Sequence, residues 1–275
     1  MLGESRAQGN TSSIYFSNLS VLLGAFALWG LVIVERWWRW LFVAAFGCAI
    51  GAAVLGGTRG SVITVAAVIL VFGAYFFGYW RRSLRFKLAA IVGGIAVITL
   101  FVHMFFDVTR IATIAGTASE MAFGGVSSDV SANIRLMLYN AALHSFADSP
   151  IFGHGWWQRF AAAMPYMADV EPEKAFDLTQ HLHNDTLNFA SAAGILGIVA
   201  YFLLLAAPVV SAVASQRTDD RALRIAIAAS LSAGYLAMGL TDTMFVFETP
   251  KSIYVLSAAI VMAFFLDAPQ AAKSI

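Results

Sequence analysis

The sequence predicts an all-α fold, a polytopic transmembrane helix bundle of about seven spans with a loop subdomain containing short helices. Composition is the first reason, because the chain is 60% hydrophobic and only 12% charged, whereas soluble domains carry roughly 25% charged residues. Its mean hydropathy is +0.76. The second reason is that stretches of about twenty apolar residues recur, the length a helix needs to cross a bilayer.

Three parts follow from the positions of these stretches. Residues 1–106 are predicted to hold four spans and residues 183–275 three, at about 14–34, 41–56, 61–80, 88–106, 185–214, 225–240 and 252–266. Residues 107–182 between them are too polar, and too often interrupted by Gly and Pro, to form a span. We expect them to form a separate subdomain outside the bilayer.

Lysine and arginine in the short loops predict the orientation. If the N-terminus lies outside, the cytoplasmic loops hold Arg36, Arg39, Arg81, Arg82, Arg85, Lys87, Arg217, Arg221 and Arg224. The opposite short segments hold only Arg6, Arg59 and Lys251. Residues 107–182 then lie outside the cytoplasm. Because the outside N-terminus has no signal peptide, we expect this chain to lack spans that precede it in longer relatives.

Within residues 107–182, a helix is predicted at 132–148, with Ser131 as N-cap and Pro150 as stop. It lies on the membrane surface or roofs a cavity. An aromatic Gly-Pro turn follows at 149–157. The remainder to residue 180 is predicted to be irregular, except for a short helix at about 171–177.

Several classes of function are excluded or unsupported. A formal net charge of +1 without a basic run argues against a nucleic-acid partner. The single cysteine, Cys48, cannot form an internal disulfide, and no zinc-ligand spacing, Walker loop, dinucleotide glycine pattern or nucleophile elbow occurs. No Asp-x-Asp pair stands on an outward segment. We therefore expect no cofactor and no metal, and membrane lipids as surroundings.

The stretch 181–197, HLHNDTLNFASAAGILG, carries the main candidate for chemistry. At 100° per residue, four small or apolar residues fall within about 40° of His183 around a helix; they are Leu187, Ala190, Gly194 and Gly197. Such a stripe allows close approach of a neighbouring helix. We therefore expect it to hold His183 at a fixed position above a packed helix pair.

A histidine with a pKa near 6.5 can activate a hydroxyl. The alternative for His183 is an interfacial histidine that caps a helix. His181, Asn184 and Asp185 crowd the same helix entrance, which favours the functional interpretation. Asn184 or Asp185 is a plausible N-cap, and Asp185 is also a candidate to orient a nearby imidazole.

Two arginines are candidate phosphate ligands, since a guanidinium binds phosphate through two hydrogen bonds. Arg59, at the junction of the second and third spans, either snorkels to headgroups or binds a phosphate. Arg135 opposes the dipole in the first turn of the loop helix, and its alternative role is a salt bridge to Asp129 or Glu120.

Other polar and aromatic residues receive structural interpretations or remain open. We predict that Arg110, Arg159 and Lys174 are solvated loop charges, and that His103 is a packing residue within the fourth span. Trp156 and Trp157 either stack on sugar rings or anchor the interface. Asp242 and Glu248 flank the last outer loop, where they could line the same cavity, but neither is selected as a site residue.

The stretch 183–197 resembles the signature of the O-antigen ligase family. It consists of His183-Asn184, nine residues, Gly194, two residues and Gly197. This family of bacterial membrane enzymes includes O-antigen ligases, O-antigen polymerases and protein O-oligosaccharyltransferases. A looser likeness extends over 133–135 and 150–155, an arginine on a short helix followed by a Pro-x-x-Gly-x-Gly turn.

The resemblance implies metal-independent transfer of a glycan from an undecaprenyl-pyrophosphate carrier to an acceptor hydroxyl. The reaction would occur at the periplasmic face of the bacterial inner (cytoplasmic) membrane. Carried over by position, His183 would engage the acceptor, and Arg59 and Arg135 would engage the carrier pyrophosphate. His181, Asn184, Asp185, Trp156 and Trp157 are the further candidates for substrate binding.

The favoured acceptor is lipid A-core, so that the chain would serve lipopolysaccharide biosynthesis. The alternatives are an O-antigen polymerase or a protein O-oligosaccharyltransferase and, in a different class, a lipid-linked glycan transporter. A transporter should bury ionisable groups near the membrane midplane, whereas the informative charges here cluster at the outer boundary. An inactive fragment that packs with another subunit is a third hypothesis.

Overall fold

The fold is taken from a computed structural model, which describes residues 12–34, 37–58, 60–79, 130–167, 181–215 and 219–264. Throughout these ranges the regular secondary structure is helical, and they contain no strand. The predicted all-α class is therefore confirmed. In chain order the helices are α1 (Ser13–Leu28), α2 (Gly30–Ile33), α3 (Arg39–Leu55), α4 (Gly60–Tyr79), α5 (Val130–Asp148), α6 (Arg159–Ala163), α7 (Asp185–Ala214), α8 (Arg221–Gly239) and α9 (Glu248–Ala263), with a 3₁₀ turn at Met164–Tyr166.

Four helical segments are long and apolar enough to cross a membrane: Ser13–Ile33, Gly60–Gly78, Asp185–Ala214 and Arg221–Gly239. They coincide with the predicted first, third, fifth and sixth spans. At 1.5 Å per residue, the 17 residues of α3 and the 16 of α9 fall short of a hydrocarbon core about 30 Å thick. The fourth predicted span, at 88–106, lies outside the described residues, so a total of seven stays a prediction.

In the bundle, α1 packs against α3, α4 and α8. Trp29, at the end of α1, stacks on Phe72 of α4 with ring centroids 4.0 Å apart. Its indole N–H donates to the hydroxyl of Ser230 on α8 at 3.2 Å. Because this buried indole has a partner for its one polar atom, it contributes apolar area without leaving a donor unsatisfied. These contacts fix α4 and α8 side by side.

The loop helix α5 packs against α6 and the start of α7. Leu138 and Ala141 of α5 form a buried cluster with Phe160 of α6 and Leu182. The predicted end of the helix at Asp148 is confirmed, but the helix begins at Val130. Ser131 therefore lies inside the first turn, and its prediction as N-cap is wrong. The helix predicted at 171–177 lies outside the described residues, whereas α6 occupies a stretch predicted to be irregular.

The long helix α7 is interrupted at Ala193 and Gly194, where the backbone leaves helical geometry. The turn at 150–155 fills this break. The N–H of Ile195 donates to the Pro150 carbonyl at 2.7 Å, and the N–H groups of His154 and Gly155 donate to the Ser191 and Ala192 carbonyls at 2.9 and 2.8 Å. The turn thus satisfies backbone groups that the broken helix would otherwise leave unpaired.

Two glycines make this contact possible. Gly153 and Gly194 have φ angles of +65° and +62°, and a Cβ on either would lie 2.4 Å from backbone atoms of the opposite segment. The prediction of a continuous stripe of small residues facing a neighbouring helix is therefore wrong. Gly194 accepts the loop at a helix break, and Gly197 lies against its own chain, where a Cβ would be 2.1 Å from the Phe189 carbonyl oxygen.

Candidate functional site

The candidate site lies at the end of the bundle where α7 begins and α8 ends. Asn184 is the N-cap of α7, because its Oδ1 accepts a hydrogen bond from the N–H of Leu187 at 3.1 Å. Its Nδ2 donates to the carbonyl of Leu240, just after α8, at 3.2 Å. One side chain therefore satisfies an orphan helix donor and ties together the two helix ends that bear the site.

His183 precedes the cap and lies outside the helix, with a left-handed φ of +49°. Histidine tolerates this region better than most residues, although it is uncommon. The Tyr139 hydroxyl lies 3.0 Å from the carbonyl oxygens of both His183 and Leu240. The loop helix α5 thereby holds the His183 backbone in its unusual conformation.

The imidazole of His183 faces a buried carboxylate. Its Nδ1 lies 3.1 Å from Oδ1 of Asp242, which is only 2% exposed. The N–H of Thr243 donates to the same oxygen at 2.8 Å. Since a carboxylate can only accept, this contact assigns the ring proton to Nδ1 and leaves the lone pair of Nε2 free. Asp242 was not selected as a site residue from the sequence, and it lies 59 residues beyond His183.

His181 lies near the same carboxylate oxygen. Its Nε2 is 3.7 Å from Oδ1 of Asp242, and its ring centroid is 4.4 Å from that of His183. Burial, with smaller contributions from His183 and Arg159, lowers the pKa of His181 to about 4, although the Asp242 carboxylate opposes the shift. At neutral pH His181 is therefore an uncharged ring.

Asp185 supports the site from within α7. This fully buried carboxylate accepts hydrogen bonds from the N–H groups of Met244 and Phe245 at 2.9 and 3.3 Å. It thereby fixes the loop that begins with Asp242. The alternative that Asp185 orients an imidazole is wrong, because Asp242 makes that contact.

Arg135 lies on α5 one turn before Tyr139, close enough for its charge to act on the Tyr139 hydroxyl. Burial raises the pKa of Tyr139, and Arg135 opposes that shift. The Nε of Arg135 is buried and, in the described part of the chain, has no hydrogen-bond partner. Its predicted alternative partners, Asp129 and Glu120, lie outside the described residues.

Arg59 also lies outside the described residues, whereas its neighbours Thr58 and Gly60 lie within them. Thr58 is buried, and a Cβ on Gly60 would be 2.7 Å from Oγ1 of Thr241. The start of α4 therefore meets the loop that carries Asp242. The α3–α4 connection, the start of α7 and the end of α8 thus lie at the same end of the bundle.

A comparison with known protein families identifies the family of this chain. The family model described as O-antigen ligase matches residues 44–202, which is 159 of the 275 residues. The chain belongs to the O-antigen ligase family. The resemblance seen in the His183 motif is thereby confirmed. No curated protein sequence matches the chain.

Membership of the O-antigen ligase family makes the chain a glycan-transferring enzyme in general terms, and the apolar helices make it a multi-pass membrane protein. The matched region contains Arg59, Arg135 and His183 but ends before Asp242. The partner of the His183 imidazole is therefore identified by tertiary structure alone.

Arg159 is a further residue of this O-antigen ligase family member whose surroundings differ from the prediction. It is 6% exposed, so its prediction as a solvated loop charge is wrong. Its Nε donates to Oδ1 of Asn188 at 3.0 Å, its Nη1 donates to the Trp156 carbonyl, and its guanidinium lies 4.6 Å from the Trp156 ring centroid. Burial lowers the pKa of Arg159, and its charge reaches His181. In the sequence, the tryptophan three residues before Arg159 was the signal that could have indicated this contact.

The two adjacent tryptophans have different surroundings. Trp156 packs edge-on against Phe189 of α7 at 5.2 Å and lies against Arg159. Trp157 is 89% exposed. Trp157 therefore offers an open ring face to a sugar or to the membrane interface.

Proposed function

We propose that this chain transfers O-antigen from an undecaprenyl-pyrophosphate carrier to a hydroxyl of lipid A-core, at the periplasmic face of the bacterial inner membrane. The observation that supports this most is the pairing of His183 Nδ1 with the buried Asp242 carboxylate at 3.1 Å. It leaves Nε2 as a proton acceptor at the end of the bundle where Arg135 lies. Family membership supplies the reaction class.

In the proposed reaction, Nε2 of His183 accepts the proton of the acceptor hydroxyl as its oxygen attacks the anomeric carbon. The bond between that carbon and the pyrophosphate oxygen breaks, and the electron pair leaves with the pyrophosphate. Asp242 stabilises the imidazolium that forms and keeps the ring oriented. A direct displacement of this kind inverts the anomeric configuration.

The leaving pyrophosphate gains negative charge, which Arg59 and Arg135 are proposed to neutralise. The Nε of Arg135, which is buried and has no hydrogen-bond partner among the described residues, supports this role, because a donor left unsatisfied would gain a hydrogen bond from a ligand oxygen. Donors placed where charge develops stabilise the transition state directly. This scheme requires no metal.

The remaining candidates divide into supporting and contacting groups. Asn184 and Asp185 hold the helix ends and the loop in place through their backbone hydrogen bonds. The uncharged ring of His181 lines the site beside His183. We propose that the exposed Trp157 stacks on a sugar ring of the donor or the acceptor, while Trp156 supports Arg159.

An O-antigen polymerase or a protein O-oligosaccharyltransferase would use the same groups with another acceptor. A lipid-linked glycan transporter is less well supported. Transporters expose unwound backbone of broken helices to their substrate, whereas the backbone groups at the break in α7 are bonded to Pro150, His154 and Gly155.

The test is complementation of a strain deleted for its own O-antigen ligase. We compare the parent with His183→Asn, which tolerates the left-handed backbone and still offers a donor to Asp242 but cannot act as a base. The control is His144→Asn, an exposed residue of α5. We expect smooth lipopolysaccharide from the parent and the control and none from His183→Asn at equal membrane levels. Full activity of His183→Asn would refute the mechanism.

The acceptor is tested with the purified chain in lipid nanodiscs. Lipid A-core, a second lipid-linked glycan and a hydroxyl-bearing protein are offered separately with the same donor. Transfer to lipid A-core supports the ligase, and transfer only to one of the other two assigns the polymerase or the protein transferase. Loss of all transfer in His183→Asn is expected in each case.

A further inference from the structure

Three nitrogen and oxygen donors converge at the candidate site. Nδ1 of His183, Nε2 of His181 and a carboxylate oxygen of Asp242 all lie within 4.8 Å of one another. The distances from Oδ1 of Asp242 are 3.1 Å to His183 and 3.7 Å to His181. Zn–N and Zn–O bonds of about 2.0–2.2 Å place the donors of a tetrahedral ion roughly 3.3–3.6 Å apart. The two distances from Asp242 bracket this separation, whereas the two imidazole nitrogens lie within 4.8 Å of each other and must move closer together to bind one ion.

The donor set selects a class of cation. Two imidazoles and one carboxylate match the ligands of zinc sites that keep an open position. Mg²⁺ and Ca²⁺ prefer oxygen ligands, which one carboxylate does not supply in number. The site therefore favours Zn²⁺ and similar transition-metal ions.

The three donors are held in place by the surrounding backbone. The Thr243 N–H orients the Asp242 carboxylate, and the Tyr139 hydroxyl holds the His183 carbonyl. Phe247 packs edge-on against the His181 ring at 5.1 Å. Such outer contacts orient metal ligands and raise affinity. Each imidazole is therefore already held at about the required distance from the carboxylate, and binding an ion requires a shift of the two rings toward each other.

We propose that His181, His183 and Asp242 form a binding site for a zinc-class divalent cation that inhibits the enzyme. This departs from the expectation of no metal drawn from the sequence. The ion takes the position of the proton shared by His183 and Asp242. The ring proton moves to Nε2, so Nε2 becomes a donor and loses the lone pair that accepts the hydroxyl proton. The inhibitory part rests on the proposed function, whereas the site rests on the ligand geometry.

The binding test uses the metal-free protein in lipid nanodiscs, titrated with ZnCl₂ against a competing fluorescent chelator. We expect one saturable zinc ion per chain. Removing even an outer-shell partner costs about 10–100-fold in affinity, so His181→Ala and Asp242→Asn should each weaken binding at least tenfold. His144→Ala, which removes an exposed histidine stacked on Tyr166, should leave it unchanged.

Absence of saturable binding, or equal affinity in His181→Ala and the parent, overturns the site. Should Asp242→Asn not fold, His181→Ala decides, since His181 lies outside the helices. Inhibition is measured within each variant as the ratio of transfer with zinc to transfer with chelator. A parental ratio near one in an active protein overturns the inhibitory role. If no acceptor is glycosylated at all, the proposed function fails, while the binding isotherms still decide the site.

Discussion

Replacement of Asp242 by asparagine tests the positioning of His183 with little change in shape. In the parent, one oxygen accepts from both His183 Nδ1 and the Thr243 N–H, at 3.1 and 2.8 Å. An asparagine nitrogen in that position would face the Thr243 donor, so its amide oxygen must take the place of Oδ1. We therefore expect Asp242→Asn to keep the tautomer of His183 and to lose only the charge.

The strength of the hydrogen bond to His183 sets the expected decrease in kcat. Hydrogen bonds to charged groups contribute about 1.5–3 kcal/mol and neutral ones about 0.5–1.5 kcal/mol, so the loss is about 1–1.5 kcal/mol. At 1.36 kcal/mol per tenfold, kcat should fall about 5- to 13-fold. Asp242→Ala removes the bond entirely, and we expect a loss of about 10- to 150-fold. An inverted tautomer would cost about 10⁴-fold, as in the Ser-His-Asp triad.

The assay is glycan transfer by purified variants in nanodiscs, with kcat and KM measured separately at saturating donor. Glu248→Gln is the control, because this exposed carboxylate at the start of α9 pairs only with Lys251, at 2.8 Å, in the described part of the chain. Thermal unfolding of each variant separates folding defects from loss of activity. Parental kcat in both Asp242 variants would refute the positioning role, and a loss near 10⁴ in Asp242→Asn would refute the assigned tautomer.

Three further predictions concern pH, backbone and support. The pKa of His181 is near 6.5 in the unfolded chain and about 4 in the folded one. The free energy of unfolding should therefore fall as the pH drops from 6.5 to 4. With chelator present, His181→Gln should remove about 3 kcal/mol of this fall and His144→Gln none; equal melting curves for both variants would contradict the shift. Gly194→Ala should lower the melting temperature more than Gly155→Ala, since both have positive φ but only Gly194 meets backbone within 2.4 Å; similar losses would argue against the loop contact. Tyr139→Phe removes the hydroxyl that holds the His183 carbonyl. It should therefore cost about 0.5–1.5 kcal/mol of stability and lower kcat. An unchanged kcat would show that this contact from α5 does not contribute to catalysis.

Local pattern and composition sufficed for much of the fold. Hydropathy located the four helical segments that are long and apolar enough to cross a membrane, because crossing a bilayer requires a long apolar helix whatever surrounds it. The end of α5 at Asp148 was predicted because the Ser149-Pro150 step disfavours helix. Asn184 was one of two predicted caps of α7, since capping depends on residues within one turn.

Long-range contacts were beyond that reasoning. The break in α7 required a partner turn about forty residues earlier in the chain, and a glycine in a helical pattern gives no sign of which segment approaches it. Arg159 was misjudged because its partners Asn188 and Trp156 meet only when α6 packs on α7. Whether a charged side chain is buried depends on that packing and not on the residues next to it in the sequence.

The sequence by itself determined that this protein is an all-α membrane protein of the O-antigen ligase family with a histidine at a helix entrance. Only the tertiary structure decided what that histidine faces. Asp242 follows a different helix, and it reaches His183 because Asn184 ties the helix ends and Asp185 fixes the intervening loop. Periodicity constrains residues within one helix, whereas the chemistry of this site depends on side chains that three separate segments bring within hydrogen-bonding distance.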